Sequence, residues 1–178
     1  MINLRPLRGL VLIKRDEPES MYGNIIIPDN CRTYSWRAEV VNVGEGVKGF
    51  VKGDQILFLK EFTVLPFKER RIALTNADNI VAKIVVNSDN IEEIYPVNKN
   101  VMIKPDQAEK TDGVMIVSKS DRDNSKSGKI VDVGCDCSIA DTFIGHRVWY
   151  PADKAVKCVE DDKNFVIVEE GEILCVEN

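Results

Sequence analysis

The chain has 178 residues, of which 44% are hydrophobic and 30% charged, the balance of a folded protein rather than a disordered one. Its net charge of −5 argues against binding nucleic acid through the phosphates, which requires clustered positive charge. No apolar run approaches the roughly 20 residues that span a bilayer, and the first residues lack the layout of a signal peptide. We therefore expect a cytoplasmic protein with neither nucleic acid nor membrane as a partner.

The first half of the chain has the pattern of a series of short strands. Its apolar runs are rich in Val, Ile, Leu and Phe and end at Gly, Asp, Asn or Pro, as strands do. A polar, acidic stretch follows the first run, then comes the aliphatic triplet Ile25-Ile26-Ile27, and a second polar stretch precedes the next run. Strands are predicted at residues 10–14, 38–43, 55–59 and 79–84.

The second half repeats this pattern. A polar stretch again follows the first strand-like run, leads to the aliphatic segment Val114-Met115-Ile116-Val117, and is followed by another polar stretch. Neither half keeps its apolar positions at a helical period over a window of about ten residues. Many short strands with Gly turns indicate an all-β fold in which each half is a small barrel or sandwich. Strands are predicted at residues 101–104, 129–133, 147–150, 165–168 and 172–176.

The two halves are copies of one module. Pro6 aligns with Pro96, and no gap is needed from there to Gly44 and Gly134, a constant spacing of 90 residues. Beyond Gly134 the spacing drifts by two or three residues, as expected when loops lose residues after a duplication. In that part of the chain, residues 53–58 align with 145–150 and residues 80–84 align with 173–177.

The repeat sets the predicted domain organisation. Each half is about 90 residues long, a viable size for a domain. The polar stretch Asn87-Ser88-Asp89-Asn90 suits a short linker between the halves. The predicted domains are residues 1–87 and 91–178.

Five cysteines are scattered along the chain, and their odd number without an export signal indicates free thiols. Cys135, Cys137 and His146 could supply three zinc ligands, but their spacing differs from that of a zinc knuckle and no fourth ligand is evident. We therefore expect ordinary strand-end and loop cysteines, and we predict neither a metal nor a cofactor.

Enzyme classes find little support in the sequence. A dinucleotide-binding enzyme would need a Gly-rich βαβ unit and a nucleotide hydrolase a Walker loop, and neither motif is present. His146 is the only histidine, and no Ser or Cys is placed to pair with it for triad chemistry. We predict a protein that is not an enzyme and has no catalytic residues.

The two aliphatic segments, residues 25–27 and 114–117, allow two interpretations. Each could be one more buried strand, or each could be a hydrophobic recognition loop. Polar flanks of this kind are difficult to keep in a packed core. Because both halves place the segment between polar stretches at the same position, we favour a recognition loop that is mobile until it binds.

Three signatures occur in order in the first half. Arg5-Pro6-Leu7 precedes an apolar strand, Gly23 precedes the aliphatic triplet, and residues 40–46 are followed by the strand-like run 51–58. This succession resembles the GroES family of ten-kilodalton co-chaperonins. The second half resembles it more faintly, with Tyr95 in place of the usual Arg and His146 in place of the usual turn aspartate. The tandem arrangement is similar to the double-domain co-chaperonins of chloroplasts, although nothing here resembles a transit peptide.

The resemblance implies two tandem GroES-like small β-barrels and a co-chaperonin that caps an ATP-driven, GroEL-type chaperonin ring and assists protein folding. It implies a homo-oligomeric ring, for which paired domains favour three or four chains. Residues 44–54 are shorter than the family's roof hairpin, which predicts an open dome, as in some virus-encoded members; a phage protein would work in the host cytoplasm. The alternative is a structural or adaptor protein that keeps the barrel without binding a chaperonin. The residues predicted to contact the chaperonin are Gly23, Ile25, Ile26, Ile27, Gly113, Val114, Met115, Ile116 and Val117.

Overall fold

The structure, a computed structural model, describes residues 4–16, 21–22, 25–26, 36–59, 62–66, 71–88, 91–106, 125–139, 141–160 and 163–177. These residues form β-strands and turns, with short 3₁₀ turns and no α-helix. No helix in this part of the chain is long and apolar enough to cross a membrane. The all-β fold predicted from the sequence is confirmed.

The chain divides into two compact units, Met1–Ile94 and Tyr95–Asn178. The first nine strands form a large and a small sheet. They are β1 (Leu10–Arg15), β2 (Met21–Tyr22), β3 (Ile25–Ile26), β4 (Arg37–Val43), β5 (Gln55–Phe58), β6 (Phe62–Val64), β7 (Ile72–Asn76), β8 (Ile80–Val86) and β9 (Glu92–Pro96). Seven of them form one sheet in the order β6-β7-β1-β4-β5-β8-β9, while β2 and β3 pair with each other.

A six-stranded sheet forms the second unit, in the order β13-β14-β10-β11-β12-β15. Its central strand β10 pairs antiparallel with β11 on one side and with β14 on the other. The strands are β10 (Asn100–Pro105), β11 (Ser125–Val133), β12 (Arg147–Pro151), β13 (Val156–Glu160), β14 (Lys163–Glu169) and β15 (Cys175–Val176).

The two large sheets share their central pairing, including a β-bulge. In the first sheet Val11 lies opposite Val43, and the register of β1 with β4 shifts after Leu12. The second sheet repeats this pairing 90 positions later, and the register of β10 with β11 shifts after Met102. A bulge adds local twist, so both sheets curve at the same place. The predicted internal repeat is confirmed at the level of strand register.

The central strands are buried along consecutive residues, so both of their faces are covered. On β1, Val11, Leu12 and Ile13 are all at most 1% exposed, and on β10 Val101, Met102 and Ile103 are all at most 4% exposed. Fully burying an aliphatic side chain of this size stabilises a fold by roughly 1.5–3 kcal/mol. The core of the second unit consists of Val101, Ile103, Ile130, Val148, Tyr150, Val166 and Val168.

Gly44 directly follows β4, and Gly134 directly follows the equivalent strand β11. Their N–H groups donate to the carbonyl oxygens of Leu10 and Asn100 at 2.9 and 2.7 Å. A Cβ atom on Gly44 would lie 2.7 Å from the same Leu10 oxygen, and one on Gly134 would lie 2.8 Å from the Val97 carbonyl carbon. Glycine is required at both positions because the neighbouring backbone comes too close for a side chain.

The structure differs from the predicted strands in the last segment and in six additional strands. The predicted strand at residues 172–176 is wrong in its first part, because Glu170–Glu172 form a 3₁₀ turn and only Cys175–Val176 pair as a strand. Strands β2, β3, β6, β7, β9 and β13 were not among those predicted. Since β9 follows the predicted linker and yet belongs to the first sheet, the domain limits 1–87 and 91–178 stay a prediction about which segments fold on their own.

Candidate functional site

The two predicted recognition segments leave their sheets at equivalent points. In the first unit the chain departs after β1 and returns at β4, and the Asp16 N–H donates to the Arg37 carbonyl oxygen at 3.3 Å. In the second unit the Asp106 N–H donates to the Ser127 carbonyl oxygen at 3.0 Å. The described residues that flank residues 17–35 and 107–124, which we call the first and second connecting segments, thus occupy equivalent positions on the two sheets.

Within the first connecting segment, two of the predicted contact residues lie in a small hairpin. Ile25 and Ile26 form β3, with Ile26 opposite Met21 and Ile25 opposite Tyr22 of β2. This hairpin is not hydrogen-bonded into the large sheet of the first unit. The other predicted contact residues, Gly23, Ile27, Gly113, Val114, Met115, Ile116 and Val117, lie outside the described residues.

An aromatic cluster lies at the base of the first connecting segment. The Phe58 ring contacts the rings of Trp36 and Phe62 edge to face, with centroids 6.2 and 5.6 Å apart. The Arg15 guanidinium lies 4.7 Å from the centre of the Phe62 ring, and Arg15 is only 5% exposed. Stacking of this buried cation on the ring fixes the last residue of β1, from which the segment departs.

Polar contacts replace this cluster in the second unit. The Asp106 carboxylate oxygen Oδ2 accepts a hydrogen bond from Ser127 Oγ at 2.7 Å and lies 3.2 Å from Arg147 Nε. Tyr150, at the position of Phe58, is fully buried, and its hydroxyl has no hydrogen-bond partner among the described residues. Burial, and secondly the negative charge of Asp106, raise the pKa of Tyr150. The hydroxyl is therefore a neutral group held in an apolar core.

The turn before β5 differs from the turn before β12. In the first unit Asp54 Oδ2 accepts from the Val51 N–H at 2.8 Å and pairs with Lys83 Nζ of β8 at 2.7 Å. In the second unit the equivalent residue is His146, and its Nδ1 lies 3.0 Å from the Glu177 carbonyl oxygen, which accepts the hydrogen bond. In both units, then, a turn side chain contacts a residue on or beside the last strand of the repeat.

The cysteines of the second unit do not gather into a metal site. The described part of the chain contains no group of three or more His, Cys, Asp or Glu residues placed to hold a metal ion. Cys135 is exposed, whereas Cys137 is half-buried and its Sγ donates to the Asn100 carbonyl oxygen at 3.4 Å. Burial, as the largest influence, raises the pKa of the Cys137 thiol. Cys137 therefore acts as a hydrogen-bonded packing residue in the turn after β11.

The two units differ most at the outer side of their last strands. In the first unit β9 pairs beside β8, and Val81 of β8 is 2% exposed. In the second unit β15 is the edge of the sheet, and Leu174, the equivalent of Val81, is 60% exposed. An unpaired strand edge with an exposed apolar side chain is a template for pairing with another chain.

A bidentate ion pair accompanies β9 in the first unit. The Arg37 guanidinium donates from Nη1 and Nη2 to the two carboxylate oxygens of Glu92, at 3.0 and 2.6 Å. The hydrogen bond from Arg37 is the main reason that the pKa of Glu92 lies below its usual value. Both side chains are partly exposed, at 34% and 44%, so the pair is screened by solvent.

The sequence model of the family described as "Chaperonin 10 Kd subunit" matches residues 3–84 and again residues 93–177. The chain belongs to this family. Each match covers one unit of the fold, with its equivalent sheet, bulge and connecting segment. The predicted resemblance to the GroES family is confirmed for both halves, and the tandem organisation of two GroES-like domains with it.

Individual relatives are similar to one or to both copies. The 20 kDa chaperonin of Arabidopsis thaliana chloroplasts is 29% identical over 143 residues, which are 74% of this chain but only 56% of that protein. The co-chaperonin GroES of Campylobacter curvus is 32% identical over 85 residues, which are 47% of this chain and 99% of that protein. GroES of Geobacter sulfurreducens is 39% identical over 69 residues, or 33% of this chain and 73% of that protein.

The sequence did not predict two features of the site, the exposed edge at β15 and the Arg37–Glu92 ion pair. The edge depends on which strand is last in the sheet, and that follows from pairing rather than from local composition. The ion pair joins residues 55 positions apart. The alignment of the two repeats contained one indication of this pair. Glu92 and Arg37 are charged, whereas the residues that align with them, Ile2 and Ser127, are not.

Proposed function

We propose that this chain is a co-chaperonin that caps a GroEL-type chaperonin ring through its two connecting segments. The observation that carries the proposal is the equivalent departure of both segments from equivalent sheets, at Asp16 and Asp106. Each segment contains one of the aliphatic runs, at residues 25–27 and 114–117. Membership of the chaperonin 10 kDa family supports the same role, as do relatives named as a chaperonin and as co-chaperonins.

The energetics of such a loop favour many weak contacts rather than one strong contact. Burying an aliphatic side chain is worth roughly 1.5–3 kcal/mol, whereas ordering each backbone residue costs about 1–2 kcal/mol. A single loop should therefore bind weakly. Loops that act together on one ring gain about 10²–10⁴-fold through effective concentration. A modest movement of the partner's outer domains can then release all the loops together.

We propose that the chains form a closed head-to-tail ring, favouring three or four chains. By the 90-residue spacing of the repeat, strand β9 (residues 92–96) is equivalent to residues 2–6. In the first unit β9 pairs with β8, so the free edge at β15 is suited to residues 2–6 of a second copy. The same contact made repeatedly in one direction closes a ring. Residues 44–54 contain turns and no strand, which favours an open dome over this ring.

The test is association with a GroEL-type chaperonin ring, measured by gel filtration and native mass spectrometry with and without ATP. Ile26→Asp places a charge on the contact of the first segment, and Ile116→Asp does so in the second. We expect each change to weaken association at least tenfold, in line with about 1.5–3 kcal/mol per side chain, and the double variant to abolish it. Far-UV circular dichroism should stay unchanged.

Matched controls place the same charge on exposed aliphatic side chains elsewhere. Val51, 63% exposed, serves the first unit and Ile144, 44% exposed, serves the second. Val51→Asp and Ile144→Asp should bind the ring as the unmodified chain does. If Ile26→Asp unfolds the protein, residues 25–27 are part of the core. If the unmodified chain binds no chaperonin ring in either nucleotide condition, the adaptor interpretation is favoured instead.

A further inference from the structure

In this chain a strand of the second repeat is held by the sheet of the first repeat. Strand β9 is the start of the second repeat by the 90-residue spacing, yet its hydrogen-bonded neighbour is β8. The Arg37–Glu92 ion pair connects β9 to β4 of the same unit, in addition to the pairing with β8. A chain that forms head-to-tail contacts has two places for such a strand, its own β8 and the free edge at β15 of another copy.

We propose that the Arg37–Glu92 pair is a specificity determinant that assigns β9 to its own chain and keeps it away from the β15 edge of other copies. This inference rests on the proposed ring, because the choice arises only where chains meet end to end. The residues that fit the β15 edge are then the first residues of the next chain, in which Ile2 stands where β9 has Glu92.

Among the described residues of the second unit, no arginine stands at the position of Arg37. The position equivalent to Arg37 is Ser127, whose hydroxyl already donates to Asp106 at 2.7 Å. Arg147 is near by, but it lies 3.2 Å from Asp106 and 3.8 Å from Glu177 and thus already serves two carboxylates. Glu92 placed there would lose its bidentate partner and approach like charges. Specificity of this kind combines an attractive contact at the right site with repulsion at the wrong one.

The uncharged Ile2 meets no such repulsion at the same position. A joint made by the first residues of a second copy would use strand pairing and apolar contact with the edge that exposes Leu174. The joint around β9 uses strand pairing and an ion pair. The two joints of the assembly therefore differ in chemistry, although they descend from the same repeat.

The test combines charge reversal with chain mixing. Arg37→Glu, Glu92→Arg and the variant with both changes are compared by amide hydrogen exchange across residues 92–95 and by native mass spectrometry. Lys48→Glu, which makes the same change of charge on an exposed turn of the first unit, is the matched control. We expect Arg37→Glu to raise the exchange of β9 about tenfold and to add assemblies of other masses, and the double change in one chain to restore both readouts.

Mixing the two single variants decides whether the contact forms within one chain. An equimolar, co-refolded mixture of Arg37→Glu and Glu92→Arg chains should not be restored, because neither chain holds a complementary pair. Restoration in the mixture would overturn the inference, since β9 would then pair with another copy. Unchanged exchange and mass in Arg37→Glu, matching Lys48→Glu, would overturn it as well.

A milder variant covers the case in which charge reversal prevents folding. Arg37→Ser with Glu92→Ile copies the residues of the other joint, and its exchange across β9 should rise about two- to five-fold, the range expected for an exposed ion pair. Unchanged exchange in this variant would overturn the inference. Chaperonin association is read separately: a chain that shows the expected exchange but binds no ring refutes the proposed function and leaves the assignment of β9 in place.

Discussion

Substituting Gly44 by alanine tests the close approach of backbone on which the first sheet depends. A Cβ atom there would lie 2.7 Å from the Leu10 carbonyl oxygen and closer still to the Arg8 carbonyl oxygen. Neither oxygen can swing aside as a side chain would, because Arg8 is held in a left-handed turn with φ of 56°. The backbone must shift, and the hydrogen bond from the Gly44 N–H to Leu10, 2.9 Å long, is stretched or lost.

These two effects set the expected magnitude. Overpacking costs about 1–3 kcal/mol, and losing a backbone hydrogen bond costs about 1 kcal/mol more. Gly44→Ala should therefore lower the free energy of unfolding of the first unit by about 2–4 kcal/mol. With a urea dependence of about 2 kcal/mol per molar, the middle of the range typical of small proteins, the midpoint should fall by about 1–2 M.

The assay uses the two tryptophans, because each unit contains one, Trp36 in the first and Trp149 in the second. Urea unfolding followed by fluorescence in a Trp149→Phe background reports the first unit, and a Trp36→Phe background reports the second. Gly44→Ala should shift only the Trp36 transition. Gly9→Ala, in the same unit, is the control, because its added Cβ would meet only Asn76 Oδ1 at 3.7 Å, an ordinary contact. A loss no larger than that of Gly9→Ala would refute the steric reasoning.

Four further outcomes are expected. Gly134→Ala, whose Cβ would lie 2.8 Å from the Val97 carbonyl carbon, should shift only the Trp149 transition, also by about 2–4 kcal/mol; a shift of both transitions would mean that the two units unfold together. Tyr150→Phe removes a buried hydroxyl that has no partner among the described residues and should leave the second unit equally stable or about 1 kcal/mol more stable in the same urea assay; a clear loss would point to a partner in the rest of the chain. Cys135 is exposed, while Cys137 is hydrogen-bonded and its pKa is raised, so a maleimide should label Cys135 at least about tenfold faster by mass spectrometry; equal rates would contradict the packing role. Because Arg37 lowers the pKa of Glu92 in the folded chain, the ion pair stabilises β9 above the ordinary Glu pKa of 4.5, and this stabilisation is lost as the pH falls through the lower folded-state pKa. Amide protection factors across residues 92–95 should therefore fall as the pH is lowered through this range. Arg37→Ser should abolish this pH dependence.

The strands that the sequence predicted are those whose residues favour a strand without help from distant partners. Strand β1 contains Leu-Val-Leu-Ile and β14 contains Phe-Val-Ile-Val, which are continuous runs of strand-forming residues. Two of the missed strands, β9 and β13, lack such runs. Strand β9, Glu-Glu-Ile-Tyr-Pro, has the composition of a linker, and β13, Val-Lys-Cys-Val-Glu, has charged residues among its apolar ones. Pairing with β8 and β14 decides their conformation, and this pairing cannot be predicted from the local sequence.

The sequence predicted the strands between which the connecting segments lie, but not the contacts at the bases of these segments, and the chaperonin-contact residues stay a prediction. The repeat placed the connecting segments correctly between the first two central strands of each half, because an ungapped alignment requires equivalent strands to flank equivalent loops. It could not give the Arg37–Glu92 pair or the packing of Arg15 on Phe62, because both join residues that approach only when the sheet has formed. Contacts between distant residues follow from strand order, and strand order depends on non-local pairing.

The two copies act as internal controls for each other, and their differences cluster at one edge. The bulge in the central strand pair and the glycines at positions 44 and 134 are the same in both, so these features belong to the shared module. The Asp54–Lys83 pair of the first unit is replaced by a His146 contact with Glu177 in the second. Both contacts, like the Arg37–Glu92 pair, lie on or beside the last strand of a repeat.

A duplication places identical edges in two different surroundings. The edge of β8 has β9 beside it, supplied by the same chain, whereas among the described strands the edge of β15 has no outer neighbour. A permanent neighbour allows residues such as Glu92 to specialise on one partner. An edge that must accept another chain benefits from apolar side chains such as Leu174, which is 60% exposed, and from avoiding charges that need one particular partner. The difference between the two edges suits the proposed ring, in which the β15 edge would contact another chain and the β8 edge would not.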